Sequence, residues 1–210
     1  MLFAVLLVGA MPGVFCFRQQ RLDEQLRALA GGHGGTYYEG ARGPGWYVKL
    51  ARKYKLPRLR QPLGFYSRTM TDEDMAVLGR ANTLRVVGLT GSEISDAGMA
   101  HLKGLTKLQS LHLDNTKIGG AGLAHLSELT ELRILHLDGT KVSDAGLVHL
   151  KKLKNLEQLG LNGTEVTDAG LAYLKSLKGL RYLGLAGTGV TSEGIADLKS
   201  AIPNVKVDFK

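Results

Sequence analysis

From residue 84 onward the hydrophobic positions fall into a strict period of 24. Leu84, Leu108, Leu132, Leu156 and Leu180 each open the same phrase. LRVVGLTGSEISDAGMAHLKGLTK is followed by LQSLHLDNTKIGGAGLAHLSELTE, LRILHLDGTKVSDAGLVHLKKLKN and LEQLGLNGTEVTDAGLAYLKSLKG. The last copy, LRYLGLAGTGVTSEGIADLKSAIPN, carries one inserted residue. A fixed period of this size marks stacked supersecondary units, none of which can bury its own apolar face alone. In the LxxLxL opening, positions 4 and 6 share one face of a short strand. That predicts inward-pointing leucines on strands that pair in parallel. Position 11 (Ile94, Ile118, Val142, Val166, Val190) adds a second apolar column, and Leu147, Leu150 and Leu153 mark the inward side of a returning helix at spacing three.

The polar positions repeat too. Position 9 reads Ser92, Thr116, Thr140, Thr164 and Thr188, and a hydroxyl recurring at a buried turn is expected to bond loop backbone groups. Ser95, Ser143, Thr167 or the aspartate after each is placed to cap the helix, with Asp96, Asp144 and Asp168 favouring its positive end. Gly98, Gly122, Gly146, Gly170 and Gly194 recur early in the helix, where Gly costs about 1 kcal/mol relative to Ala; close packing against the neighbouring coil is the expected reason. TDEDMAVL (71–78), with the strand portion PLGFYSRTM (62–70) before it, reads as a degenerate leading repeat, and VKVDF (205–209) as a closing strand.

The first 61 residues follow another pattern. Residues 1–17, MLFAVLLVGAMPGVFCF, contain no charged side chain and are followed by RQQR. As a helix they span ~25 Å, slightly short of a bilayer core. A basic n-region is missing, and an uncleaved single-pass anchor fits better than a cleaved signal peptide. The arginines after it favour a cytoplasmic body, but a start site trimmed of an upstream basic stretch would reverse that, so the side is undetermined. In 18–30, Leu22, Leu26 and Leu29 have amphipathic spacing. GGHGG (31–35) lacks the residues that would complete a phosphate loop, so His33 is read as part of a turn. WYVKLARKYKLPRLR (46–60) interleaves aromatics with basic residues. That suits an anionic membrane surface, with a solvated basic face as the equal alternative.

Charge sharpens this division. The chain carries 27 Lys and Arg against 19 Asp and Glu, for a formal +8. Residues 1–69 hold eleven of the basic and three of the acidic residues, so the whole excess lies there and the repeats are neutral. Nucleic acid is therefore not the expected partner. The single cysteine, Cys16, excludes a disulfide framework within one chain.

The 24-residue unit resembles the leucine-rich repeat, and its TDAGLxxLxxL form is similar to repeats of bacterial leucine-rich-repeat proteins. Some of these carry an N-terminal membrane segment, a short basic juxtamembrane region and a closing helix ending near Leu-Pro. The counterparts here are 1–17, 18–61 and the Ala201–Asn204 stretch that includes Pro203. The resemblance implies an α/β leucine-rich-repeat solenoid over 62–210, with a parallel sheet on its concave face and helices on its convex face. It also implies a binding scaffold without intrinsic chemistry. The repeats resemble the substrate-binding arrays of F-box adaptors as well, but no F-box is recognisable before them.

Positions 2, 3, 5 and 7 supply the candidate concave-face binding residues: Arg85, Val86, Ser110, His112, Asp114, Arg133, Ile134, His136, Asp138, Gln158, Arg181 and Tyr182. Tyr182, Arg133 and Arg181 are the strongest hot-spot candidates by residue type. HLD occurs in two successive repeats, so His112, His136, Asp114 and Asp138 should be neighbours. Duplication alone explains that, and no metal or cofactor is assigned. A second histidine column, His101, His125 and His149, continued by Tyr173, is read as a tolerated half-exposed position. No nucleophile has a paired base and oxyanion donor, so no enzyme activity is expected. The functional expectation is a membrane-tethered scaffold for a protein or peptide partner, the alternative being a structural or self-associating envelope protein.

Overall fold

In the computed structural model of the chain, residues 22, 24–32, 34–41 and 60–209 are described. The apolar segment 1–17 with Cys16, residue His33 and nearly all of the basic segment 46–60 lie outside them. Among the described residues, no helix is long and apolar enough to cross a membrane.

Eight strands pair in sequence order in one sheet: β1 (Thr36–Ala41), β2 (Arg60–Tyr66), β3 (Val86–Gly88), β4 (Ser110–His112), β5 (Ile134–His136), β6 (Gln158–Gly160), β7 (Tyr182–Gly184) and β8 (Lys206–Asp208). All neighbours from β2 to β8 are parallel, whereas β1 runs antiparallel to β2. The register never slips through the repeats: Val86, Ser110, Ile134, Gln158, Tyr182 and Lys206 face one another in a row, as do Val87, Leu111, Leu135, Leu159, Leu183 and Val207. The spacing of 24 holds at the last junction too, where Tyr182 pairs with Lys206, so the extra residue expected in the last copy does not shift the register.

The leucine columns are buried as expected. Leu108, Leu111, Leu113, Leu132, Leu135, Leu137, Leu156, Leu159 and Leu161 have no exposed surface, and neither do Ile94, Ile118, Val142 and Val166. The core extends further back than the repeats. Residues 24–32 are helical, and Leu26 and Ala30 join the same cluster as Phe65, Met70, Met75 and Leu78. Residues 24–32, 34–41 and 60–61, read from the sequence as part of the segment before the solenoid, thus contribute its first helix and first strands. An antiparallel hairpin at the leading end satisfies the outer edge of β2.

On the convex side the returning segments are shorter and tighter than the uniform helices the sequence suggests. Asp96–Met99 and Asp144–Leu147 are single α turns that continue as 3-10 helix over Ala100–Gly104 and Val148–Lys152. Gly122–Leu126 is 3-10 throughout, and only Asp168–Leu174 and Ser192–Ala201 are longer α-helices. A 3-10 turn rises about 2.0 Å per residue against about 1.5 Å for α, so it spans the convex side with fewer residues.

Two hydroxyl and carboxylate systems tie the coils. Thr116, Thr140, Thr164 and Thr188 each donate through Oγ1 to the carbonyl three residues earlier, at 2.6–2.7 Å. The aspartates before the helices do more than complement a helix end. Each reaches across to the next repeat. Asp144 accepts from the Thr167 N–H and hydroxyl at 2.8 and 2.6 Å, and Asp168 accepts likewise from Thr191. Asp72 accepts from the Ser95 N–H and hydroxyl and from the Gly98 N–H, and Asp96 from the Gly119 N–H. The recurrent helix glycines make room for these carboxylates: a Cβ on Gly98, Gly122, Gly170 or Gly194 would meet Oδ1 of Asp72, Asp96, Asp144 or Asp168.

One junction differs. Residue 120 is Gly where the flanking repeats have Asp96 and Asp144, and the two backbones close in, so that a Cβ on Gly146 would lie 2.6 Å from Gly120 Cα. Ser143 correspondingly makes no side-chain cap bond, whereas Ser95, Thr167 and Thr191 do.

The Thr191 hydroxyl, and then its N–H, hold the Asp168 carboxyl below its ordinary value of 3.8. The bonded form is the charged one, so the stabilisation is present above pH 3.8 and is lost as pH falls through the lower folded-state value. Thr191→Val should return the carboxyl part of the way toward 3.8, read by its carbon chemical shift in an acid titration. An unchanged titration would mean that the hydroxyl contributes nothing.

Candidate functional site

The concave surface is built from the strand residues that alternate with the buried leucines. Each strand from β3 to β8 contributes only three residues, so each offers two outward positions. The outward row at position 3 is Val86, Ser110, Ile134, Gln158 and Tyr182; the row at position 5 is Gly88, His112, His136, Gly160 and Gly184. The inward rows repeat the same aliphatic residues; the outward row at position 3 changes at every repeat, and the row at position 5 holds two histidines among glycines.

The structure separates the candidate residues into three groups. Arg85, Arg133, Gln158, Arg181 and Tyr182 are exposed, and Val86 and Ile134 are half-buried beside them. Tyr182, 38% exposed, is one of the few large aromatic or aliphatic side chains left at the surface among the described residues. Its hydroxyl donates to Asp208 at 3.4 Å. Desolvation, and then the Asp208 charge, push the phenol above its usual range, so it stays a neutral donor. Glu157, which the sequence reading passed over, lies between Arg133 at 3.2 Å and Arg181 at 3.8 Å. Exposed pairs of this kind contribute little to stability, but they set the directions in which the guanidinium groups extend.

Asp114 and Asp138 form the second group. Both are half-buried and accept from the next strand-to-turn segment: Asp114 Oδ1 from the Asp138 N–H at 3.1 Å, and Asp138 Oδ1 from the Asn162 N–H at 2.8 Å. Asn162 Nδ2 also donates to Asp138 Oδ2, and Asn162 Oδ1 accepts from the Ala186 N–H. Position 7 is therefore a side-chain ladder along the solenoid that fixes the lip of the concave face. The turn beside it needs a left-handed residue, supplied by Gly91, Gly139, Gly163 and Gly187 and by Asn115 at φ 55°. The recurring Gly or Asn at position 8 was the readable sign of that turn.

The third group is the histidine pair with Ser110. His112 and His136 face each other edge-to-face with ring centroids 4.8 Å apart, and their Nδ1 atoms are 3.2 Å apart. Ser110 Oγ lies 2.8 Å from His112 Nε2. Burial, and then the neighbouring His136, hold His112 below its ordinary pKa of 6.5; Asp114 opposes them. These effects favour the neutral form of His112. A contact between two Nδ1 atoms needs one donor and one acceptor, so the pair cannot hold this geometry with both rings protonated.

Beside His112, at the leading end of the concave face, lies an open cavity of about 520 Å³ lined by Gly34, Gly35, Tyr66, Ser67, Arg68, Gly88, Thr90 and His112. Sequence reasoning missed it, because it forms where the hairpin meets the first repeat. Its available sign was Gly88, whose missing side chain admits the Tyr66 ring. The second histidine column is on the opposite face, with His101 exposed and His125 and His149 half-buried.

One repeat, residues 104–127, matches the family model described as Leucine Rich repeat. No curated protein matches the chain in sequence. Among solved structures, a leucine-rich-repeat protein from Leptospira interrogans is similar with a TM-score of 0.53 and 22% identity, over 64% of this chain and 33% of its own. An internalin from Listeria monocytogenes is similar with a TM-score of 0.50 and 20% identity, over 70% of this chain and 46% of its own. Internalin C2 of the same organism has a TM-score of 0.50 and 19% identity, over 70% of this chain and 80% of its own. The chain thus spans between a third and a half of the first two. At these identities the likeness shows the fold, a leucine-rich-repeat solenoid.

Proposed function

We propose that this leucine-rich-repeat solenoid is a scaffold that binds a protein or peptide on its concave face. The observation that carries the reading is the contrast between its two sets of strand positions. The buried rows are near-uniform and laced by two ladders of inter-repeat hydrogen bonds, whereas the outward row at position 3 presents a different side chain at every repeat: Val86, Ser110, Ile134, Gln158 and Tyr182. A rigid floor with varied, partly exposed side chains gives specificity with little ordering cost on binding. Tyr182, Gln158, Arg133 and Arg181 form the aromatic and basic end of that surface, with Tyr182 and the arginines of the types that dominate interface energies. We assign it no catalytic step.

We further propose that residues 1–17 tether the scaffold to a membrane, on a side still to be established, and that the basic segment 46–60 contributes a second contact. Self-association through the trailing sheet edge is the weaker reading. β8 is three residues long and carries exposed Lys206 and Asp208, the features that blunt an edge against further pairing.

A photo-crosslinking residue at Gln158 of the full chain in its native membrane should trap a discrete partner, and the same residue at convex Val148 should not. Combining Tyr182→Ala with Arg133→Ala should weaken capture at least tenfold, about 1.4 kcal/mol or more. Equal trapping from both faces, or only adducts of the chain with itself, would overturn concave recognition.

A further inference from the structure

We propose that His112, His136 and Asp114 form a binding site for a single divalent transition-metal ion of the zinc class. One ligand atom from each of the three residues lies within 4.8 Å of the others. The two Nδ1 atoms, 3.2 Å apart, nearly match the separation of about 3.3 Å set by two bonds of about 2.0 Å to a tetrahedral zinc ion. The pair sits on adjacent strands in fixed register, His112 opposite His136, so the backbone holds both nitrogens near the required bite before any ion arrives.

The surrounding groups support the same assignment. Ser110 Oγ at 2.8 Å anchors the far nitrogen of His112. With the ring proton on Nε2 donated to Ser110, His112 Nδ1 presents its lone pair, the outer-shell arrangement that orients metal-binding histidines; His136, the donor across the 3.2 Å contact, must carry its proton on Nε2 instead when the ion binds. Asp114 is steadied by the Asp138 N–H and the Thr90 hydroxyl at 3.1 and 3.2 Å, and each carboxylate oxygen keeps a second lone pair. Asp138, which the repeated HLD phrase makes equally eligible, differs in position: the ligand atoms that lie within 4.8 Å of one another come from His112, His136 and Asp114, whereas Asp138 turns both oxygens to Asn162 at 2.8 and 3.0 Å. The structure thus selects one carboxylate of two.

Two imidazoles and one carboxylate favour zinc, nickel, cobalt or copper over magnesium and calcium, which prefer all-oxygen shells. Three protein ligands leave at least one coordination position for water or an incoming donor. The site also borders the cavity that His112 lines. The duplicated HLD phrase, accounted for by inheritance alone when seen as sequence, becomes a ligand pair once β4 and β5 are aligned.

The test is a zinc titration of the chelator-stripped full chain by calorimetry and by competition with a chromophoric chelator, with magnesium as comparator. One equivalent of zinc should bind, and magnesium should not compete. His136→Ala, which leaves the Ser110 bond intact, should weaken zinc binding about 100-fold, and Asp114→Asn about tenfold. In the unmodified chain, the Nδ1 resonances of His112 and His136 should move together on zinc addition while those of His101, His125 and His149 stay in place. That readout keeps the proposal testable if a variant fails to fold. No zinc binding would overturn the site. Binding undiminished in a folded His136→Ala protein, or shifts confined to other histidines, would overturn it as well.

Discussion

Replacing Leu135 by alanine should destabilise the chain by ~2–5 kcal/mol, which is a large part of the stability of an ordinary domain. Leu135 has no exposed surface and stands in the middle of the inward row, between Leu111 and Leu159 on the adjacent strands. The cavity would therefore open to both neighbouring coils at once. Repeats contact only their neighbours, so a defect at the centre weakens two interfaces while one at an end weakens a single interface. A core truncation near the trailing end, Val205→Ala, removes a smaller side chain that is 4% exposed and should cost less. Denaturant unfolding of the two variants checks both the size and the order. Equal losses would mean that the sheet does not behave as a chain of nearest-neighbour contacts.

The second large effect is expected from a single added methyl group. Gly146→Ala places a Cβ 2.6 Å from Gly120 Cα and 3.3 Å from the Leu123 side chain. The obstacle is backbone, and backbone can yield only by moving one coil away from the next. Overpacking of a tight interior costs ~1–3 kcal/mol, and this geometry belongs at the upper end. Gly179→Ala provides the control, since its Cβ would approach nothing closer than the Lys154 carbonyl oxygen at 3.3 Å. Thermal melts of the two proteins should differ by several degrees. A Gly146→Ala protein as stable as the Gly179→Ala protein would show that the coils can separate there without loss.

The architecture was readable because its information is periodic. Leu84, Leu108, Leu132, Leu156 and Leu180 recur at 24, and a 24-residue repeat whose leucines alternate within a strand has one economical stacking. The threonine column was readable for the same reason: a recurring buried hydroxyl must find a backbone partner. What periodicity hides is direction. Asp144 and Asp138 are equally spaced from their counterparts in the next repeat, but the repeat pattern does not say that one crosses to Thr167 on the convex side and the other to Asn162 at the sheet's lip. The sequence reading placed Asp114 and Asp138 among the contact residues, and their carboxylates proved to have tasks inside the solenoid. Elements outside the repeat were harder still. Leu26 and Ala30 carry no repeat signature, and their place in the core depends on β1 folding back against β2, a contact between segments of unlike pattern.

The ladders of aspartate and asparagine also have a sense of travel. Where these carboxylates and amides take a backbone N–H across a junction, the accepting side chain belongs to the upstream repeat and the N–H to the downstream one: Asp72 to Ser95, Asp144 to Thr167, Asp138 to Asn162. A chain is synthesised from its N-terminus, and its leading units fold first. Each new coil therefore emerges opposite acceptors already held in place, and the helix and hairpin at the leading end provide the first surface for it to build on. That order gives assembly a starting point, and at the Gly120–Gly146 contact, where no carboxylate crosses on the convex side, only the Asp114–Asp138 bond at the lip and the fit of the two backbones guide the next coil.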